Sequence, residues 1–289
     1  MVLDAFWLGL LVKMAATVSV VLAASFAAER AGPFWGGLLC ALPLSAGPAY
    51  ILLAMQADAG FIADSALASV AGSAAANLYL LAVIRLAPRW SATVTVAIGL
   101  IVWLGAIVAI RAIAWTPVTA LLADLVTFAV GCVLTRAALA VTVSTVAKRG
   151  WSDLPLRALA IAGLVAVIVT ASHILGSRLT GIVIVFPISL VSFTAVAHTR
   201  LGGRAAAATM ANGLRAMPGF FLALWVLQLL VPSGIVRALF AGLATSVGYA
   251  LAMMAWRVYA GGAPASASSQ VRNSATLPPS SSPSGLTHQ

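Results

Sequence analysis

Three charges stand inside long apolar runs of this 289-residue chain: Lys13, Asp124 and Arg215. A charge in hydrocarbon costs at least about 2.5–3.5 kcal/mol on insertion scales, so it persists only with a partner, water or a ligand. Lys13 lies eight residues into its run and Asp124 seven into its own, about 12 and 11 Å deep at 1.5 Å per residue. Similar depth makes them a natural ion pair. The preferred reading is a structural clasp between two helices; the alternative is a proton or substrate relay. Arg215 sits about 15 Å into its run. Its planar fork suits a phosphate or carboxylate, and capping of free backbone carbonyls is the other use. Asp64 is only three residues into its run and reaches the interface.

A second group of residues acts through the backbone. Pro43, Ser45, Gly47 and Pro48 crowd the middle of one run, and Gly181, Pro187, Ser189 and Ser192 recur in a later one. Proline removes a backbone donor and clashes with the preceding turn, so both runs should kink or break. Broken helices in matching places are the best pointer to a binding site in a membrane, because the freed groups can face a cavity. The competing reading is close helix packing, which also favours Gly and Pro. The candidate substrate-binding set is therefore Pro43, Ser45, Gly47, Pro187, Ser189 and Arg215.

These residues need apolar elements to hold them, and the composition supplies them. Hydrophobic residues make up 62% and charged residues 8%, against roughly 45–50% and about 25% in soluble domains. With a mean hydropathy of +1.09, the chain cannot cover a water-facing surface. Soluble enzymes, nucleic-acid binders and disulfide scaffolds are excluded, and a polytopic all-α membrane protein remains. Period-two alternation is absent, so strands are not expected. Nine runs are long enough to span: Ala5–Ala28, Phe34–Met55, Phe61–Leu86, Ser91–Ile110, Pro117–Thr135, Leu156–Leu175, Leu179–Ala197, Ala205–Leu230 and Gly234–Trp256. The N-terminal run is too long, and lacks a preceding cation, for a cleaved signal. The tail 261–289, rich in Ser and Pro, reads as disordered. Cys40 and Cys132 read as small buried hydrophobes.

The net charge of +10 comes from scattered cations, which fits loop orientation better than nucleic acid. With nine spans, Arg30, Arg85, Arg89, Arg136, Lys148, Arg149, Arg157, Arg200, Arg204, Arg257 and Arg272 fall on one side. Only Arg111, Arg178 and Arg237 fall on the other. Cytoplasmic loops carry the excess, so the C-terminal tail is expected inside and the N-terminus outside. Dropping the fifth span would weaken the split to nine against five.

A shift of 144 residues brings the halves into register: Gly32 on Gly176, Gly37 on Gly181, Pro43 on Pro187, Ser45 on Ser189, with Lys13 on Arg157. Spans one to four then match six to nine. The units are 1–111 and 156–260, joined by 112–155. One extra crossing between two even units inverts the second, as in many secondary transporters.

The second unit, through Phe186-Pro187, Ala197-His198, Gly203-Arg204 and Met217-Pro218, resembles the small four-helix bacterial inner-membrane proteins of the GlpM type. The first unit, with Arg30-x-Gly32 and Leu42-Pro43-Leu44-Ser45, looks like a related small membrane family. The resemblance implies a duplicated form of that fold, a bacterial inner membrane and a link to envelope polysaccharide. It implies no catalytic residues.

The expected function is that of a transporter or permease-like protein for an anionic or envelope-related solute. The alternative is a non-transporting accessory subunit of an envelope assembly system, and the third is a lipid-modifying enzyme. No nucleophile–base set, phosphate loop or zinc spacing occurs, so neither catalysis nor a cofactor is expected. The expected partners are the bilayer, a small-molecule substrate and envelope-assembly proteins.

The loop charges make the orientation testable. Reporter fusions after Gln56, Arg111 and Pro232 should report the non-cytoplasmic side, and those after Arg89, Arg149, Arg200 and Ala260 the cytoplasm. A cytoplasmic signal after Pro232 would remove the fifth span and the inversion with it.

Overall fold

The computed structural model describes residues 46–140 and 153–261. Among them every regular element is helical: α1 (Ala46–Ala54), α2 (Ala59–Leu86), α3 (Ala92–Arg111), α4 (Pro117–Thr135), α5 (Asp153–Ile184), α6 (Ile188–Leu201), α7 (Gly203–Leu230) and α8 (Ile235–Gly261). Short 3₁₀ turns follow α4 and α7. The chain divides into two units, Met1–Ala250 and Leu251–Gln289, and the packing described below lies within the first.

Six segments are long and apolar enough to cross a membrane: Ala59–Leu86, Ala92–Arg111, Pro117–Leu139, Ile174–Leu201, Gly203–Ser233 and Ile235–Trp256. The chain is thus a multi-pass helical membrane protein. These are the third, fourth, fifth, seventh, eighth and ninth runs of the sequence, and α4 has the expected bounds. The first run and most of the second lie outside the described residues. The sixth falls within α5.

The helix ends follow local chemistry. Asp58 caps α2 by accepting from the Phe61 N–H at 2.8 Å. Ser91 caps α3, with 3.4 Å to the Val94 N–H. Thr116 and Thr119 form a reciprocal capping pair at α4, with Pro117 in the first turn where its missing donor costs nothing. Gly202, at φ 82°, turns the chain from α6 into α7.

α2 is the central helix, packed by α3, α4, α5 and α7. In its spanning window 72% of residues are buried, against 22% in α3, 22% in α4 and 17% in α8. The outer helices turn Ile101, Leu104, Val108, Leu122, Val126 and Phe240 outward. Such exposed apolar surface is stable in hydrocarbon and not in water.

α2 can sit at the centre because its packing residues are small. Ala66, Ala71, Gly72, Ala74, Ala75 and Ala76 are all buried. Lipid tails are as apolar as leucine, so helices associate through close approach and hydrogen bonds. One such close approach is at Gly181 of α5, where an added Cβ would collide with the Ser65 carbonyl and lie 2.9 Å from the Ala68 Cβ.

The chain turns just ahead of the seventh run and breaks once inside it. Gly176 (φ 70°, ψ 171°) breaks α5, and the chain leaves helical geometry again at 185–187 before α6. Pro187 has no N–H to continue the ladder. Phe186 N–H turns back to the Val183 carbonyl at 3.1 Å, and Ile188 N–H to that of Phe186 at 2.7 Å. The break expected from Pro187 is present.

Gly181→Ala should lower the melting temperature in mild detergent, because backbone rather than a flexible side chain must yield. The cost should be about 1–3 kcal/mol. Gly105→Ala meets nothing within 4 Å and should be neutral or stabilising by up to about 1 kcal/mol. Equal effects of the two changes would show that the α2–α5 approach is not tight.

Candidate functional site

Hydroxyl and amide side chains recur every fourth residue along α2: Ser65, Ser69, Ser73 and Asn77, all fully buried. A period of four keeps them on one helix face. Ser65 Oγ donates to the Ser177 carbonyl at 3.0 Å and Ser69 Oγ to the Gly181 carbonyl at 2.7 Å. Both carbonyls belong to the short helical stretch between Gly176 and the Pro187 break. Tyr50 of α1 joins the same seam, its hydroxyl 2.7 Å from Ser69 Oγ. The interrupted run is therefore clipped to the central helix by hydroxyls as well as by the Gly181 contact.

Lower on the same face stands Asp124 of α4, fully buried. Ser73 Oγ lies 2.8 Å from each of its carboxylate oxygens and 2.7 Å from the Val70 carbonyl. One hydroxyl proton serves one acceptor at a time. The arrangement suits a carboxylate accepting from Ser73. It equally suits a carboxylic acid donating to Ser73, which then donates to Val70. Asn77 Nδ2 donates to Thr127 Oγ1 at 3.1 Å and approaches the Asp124 carbonyl at 3.4 Å. Ser73 is the fifteenth of the 28 residues of α2, so the cluster sits at mid-span. The pairing of Asp124 with Lys13 falls outside the described residues, as do Pro43 and Ser45.

Around the interruption, three buried polar atoms have no hydrogen-bond partner: Thr180 Oγ1, Ser189 Oγ and Trp103 Nε1. Trp103 packs edge-on against Phe186, with ring centroids 5.2 Å apart. Buried polar atoms left unpaired are rare and call for a cause such as water, an ion or a ligand. Pro187 and Ser189 are thus together at the break, as their spacing requires. Gly47 lies in α1 and lines a different feature, an apolar groove of about 200 Å³ shared with α7 and α8.

Arg215 is on α7, half-buried, and is not part of the break. Its carbonyl accepts from the Tyr249 hydroxyl at 2.8 Å. One residue before Arg215, Leu214 packs against Gly131 of α4. His198 Nε2–H reaches the carbonyls of Ala87 (3.1 Å) and Trp90 (2.8 Å). It caps the end of α2.

At the opposite end of α2 from His198 is a cavity of about 230 Å³. It is bounded by α2, the end of α3 and the stretch after Gly176, and Asp64, Arg111 and Arg178 line it together with Trp115. All three charged residues are exposed. Sequence reasoning treated Arg111 and Arg178 only as loop charges and Asp64 as an interfacial residue. Their convergence depends on packing and left no local signal. The serine stripe did leave one: hydroxyls at 65, 69 and 73 in an otherwise apolar helix.

Among the described residues no group of three His, Cys, Asp or Glu could hold a metal. No family model, curated protein or solved structure matches the chain.

The mid-span cluster makes a quantitative prediction. Ser73→Ala should destabilise the folded protein by about 1.5–3 kcal/mol if it removes a hydrogen bond to a charged group. Asp124→Ala should also destabilise, and the double change should cost less than the two together by at least about 0.5 kcal/mol. Additive losses in detergent unfolding would show that Ser73 and Asp124 are energetically independent.

Proposed function

We propose that the chain is a permease-like protein of a bacterial inner membrane, moving a small anionic solute. One observation carries this reading: the span Ile174–Leu201 is broken at Gly176 and again before Ile188, and unpaired polar atoms are buried at the second break. Irregular backbone at membrane depth is tolerated only where it is buried in protein or lines a cavity, and transporters place their solutes beside such breaks. The serine clip on the short stretch supplies hydrogen bonds that a rearrangement can exchange. The outer cavity beside it supplies cations.

The nine-span, inverted-repeat architecture belongs to the same proposal. α2 and α7 are both 28 residues long and begin 144 residues apart, at Ala59 and Gly203. That offset is the one that aligns Pro43 with Pro187 in the sequence. The two helices also pack on each other, as equivalent helices do about a pseudo-two-fold axis. With α4 as the odd crossing between the units, the second unit is inverted and the tail is cytoplasmic.

A second reading, a non-transporting accessory subunit of an envelope assembly complex, is favoured by the apolar groove between α1, α7 and α8. The two readings differ in what a deletion does. Loss of a permease changes the amount of an anionic solute inside relative to outside. Loss of an accessory subunit changes envelope polymer with solute levels unaltered.

Comparative profiling of solutes and envelope in a deletion strain is the deciding measurement, with complementation by variants. Pro187→Ala should restore a backbone donor at the break and fail to complement while still yielding folded protein. Arg215→Ala should likewise fold and fail if Arg215 lies on the solute path, and Arg215→Lys should fail with it because the planar fork is lost. Full complementation by Pro187→Ala would remove the break from the function, and unchanged solute levels in the deletion strain would remove transport.

A further inference from the structure

We propose that the outer cavity is a recognition site for a singly charged oxyanion, a carboxylate or phosphodiester, borne on a small apolar body. This deepens the permease reading and rests on it for what the bound group is for. The cavity brings Arg111, the last residue of α3, to the same space as Arg178, just after the Gly176 break. Of the cations that the sequence puts on the non-cytoplasmic side, Arg111, Arg178 and Arg237, two therefore converge. Guanidinium groups are the preferred partners of carboxylate and phosphate because their fork matches two oxygens at once.

Asp64 lines the same cavity and sets the charge it will accept. Two arginines and one carboxylate leave one net positive charge. A monoanion balances it, whereas a dianion is left with excess charge facing Asp64. The remaining wall is apolar, formed by Leu67, Ile110, Ile113, Leu179 and Ile182 beside Trp115. At about 230 Å³ the space falls below the roughly 300–1,000 Å³ of drug-sized sites, so it fits one small group.

The wall is also held in place before any ligand arrives. Trp115 Nε1–H donates to the Ile110 carbonyl at 2.8 Å, which spends its polar atom and leaves the ring as apolar surface. The Thr116–Thr119 capping pair fixes the next residues at the start of α4. On the other side, the Gly181–Ser65 approach and the Ser65 and Ser69 hydrogen bonds hold the stretch that carries Arg178. Such preorganisation removes much of the ordering cost of binding. Because Arg178 lies between the Gly176 and Pro187 breaks, an oxyanion bound there contacts the segment that is interrupted at both ends.

The test uses the full chain in nanodiscs of phosphatidylcholine, titrated with benzoate by calorimetry. Saturable binding is expected, weakened by about tenfold or more by Arg111→Gln and by Arg178→Gln. Asp64→Asn should tighten benzoate and let sulfate compete, which the native cavity disfavours. Melting temperatures without ligand should stay the same, since all three side chains are exposed. A parallel series in phosphatidylglycerol nanodiscs separates the two sources of oxyanion. Arginine-dependent retention of that lipid, with displacement of benzoate, identifies a lipid headgroup. Undiminished benzoate binding identifies a soluble solute. Absence of both benzoate binding and arginine-dependent lipid retention, or binding indifferent to the arginine changes, overturns the site. If the site fails while the Pro187→Ala strain still shows a transport defect, the permease reading stands without it. If binding is as expected while deletion leaves solute levels unchanged, the site stands and the permease reading falls.

Discussion

Helices surrounded by hydrocarbon gain nothing by hiding apolar surface from one another. They must be held by close approach and by hydrogen bonds, and α2 supplies both. Its alanines and Gly72 let neighbouring backbones come near. Its face of Ser65, Ser69, Ser73 and Asn77 offers hydroxyls and an amide to α5 and α4. The positions of α3, α4, α5 and α7 follow from how they meet α2. The interrupted run lies where the serines can reach its carbonyls, and α4 lies where Asp124 can meet Ser73.

The same constraint explains why the breaks are tolerable. A helix interruption in lipid exposes backbone groups that no water can satisfy. At 185–187 the loss is partly made good by tight local turns, at Val183 and Phe186. The short stretch before the break is secured by Ser65 and Ser69. What is left over is a small set of unpaired polar atoms beside Pro187 and a charged cavity at the stretch's other end. Both features flank the stretch between Gly176 and Pro187.

Arg215 and Asp124 illustrate two ways in which an ionisable group inside a span is accommodated. Asp124 is fully enclosed and meets neutral donors from α2. Arg215 is half-buried, with its carbonyl engaged by Tyr249. Neither lines the cavity that holds Arg111 and Arg178. Among the described residues these ionisable groups stand apart: Asp124 at mid-span on α4, Arg215 on α7, and Asp64, Arg111 and Arg178 around the cavity near the start of α2.

Much of this was legible in the residues alone. Composition required membrane spans, because 8% charged residues cannot solvate a surface. The bounds of α4 followed from the apolar run Pro117–Thr135, and the break before α6 from Pro187, since run length and a missing N–H act on the chain locally. The serine stripe was present as a four-residue period but has meaning only when a partner backbone lies against it. The meeting of Asp64, Arg111 and Arg178 was not legible at all. Those residues are far apart in sequence, and what unites them is the approach of α3 and the Gly176–Pro187 stretch to α2. That approach is set by small side chains and backbone contact, which no charge pattern along the chain records.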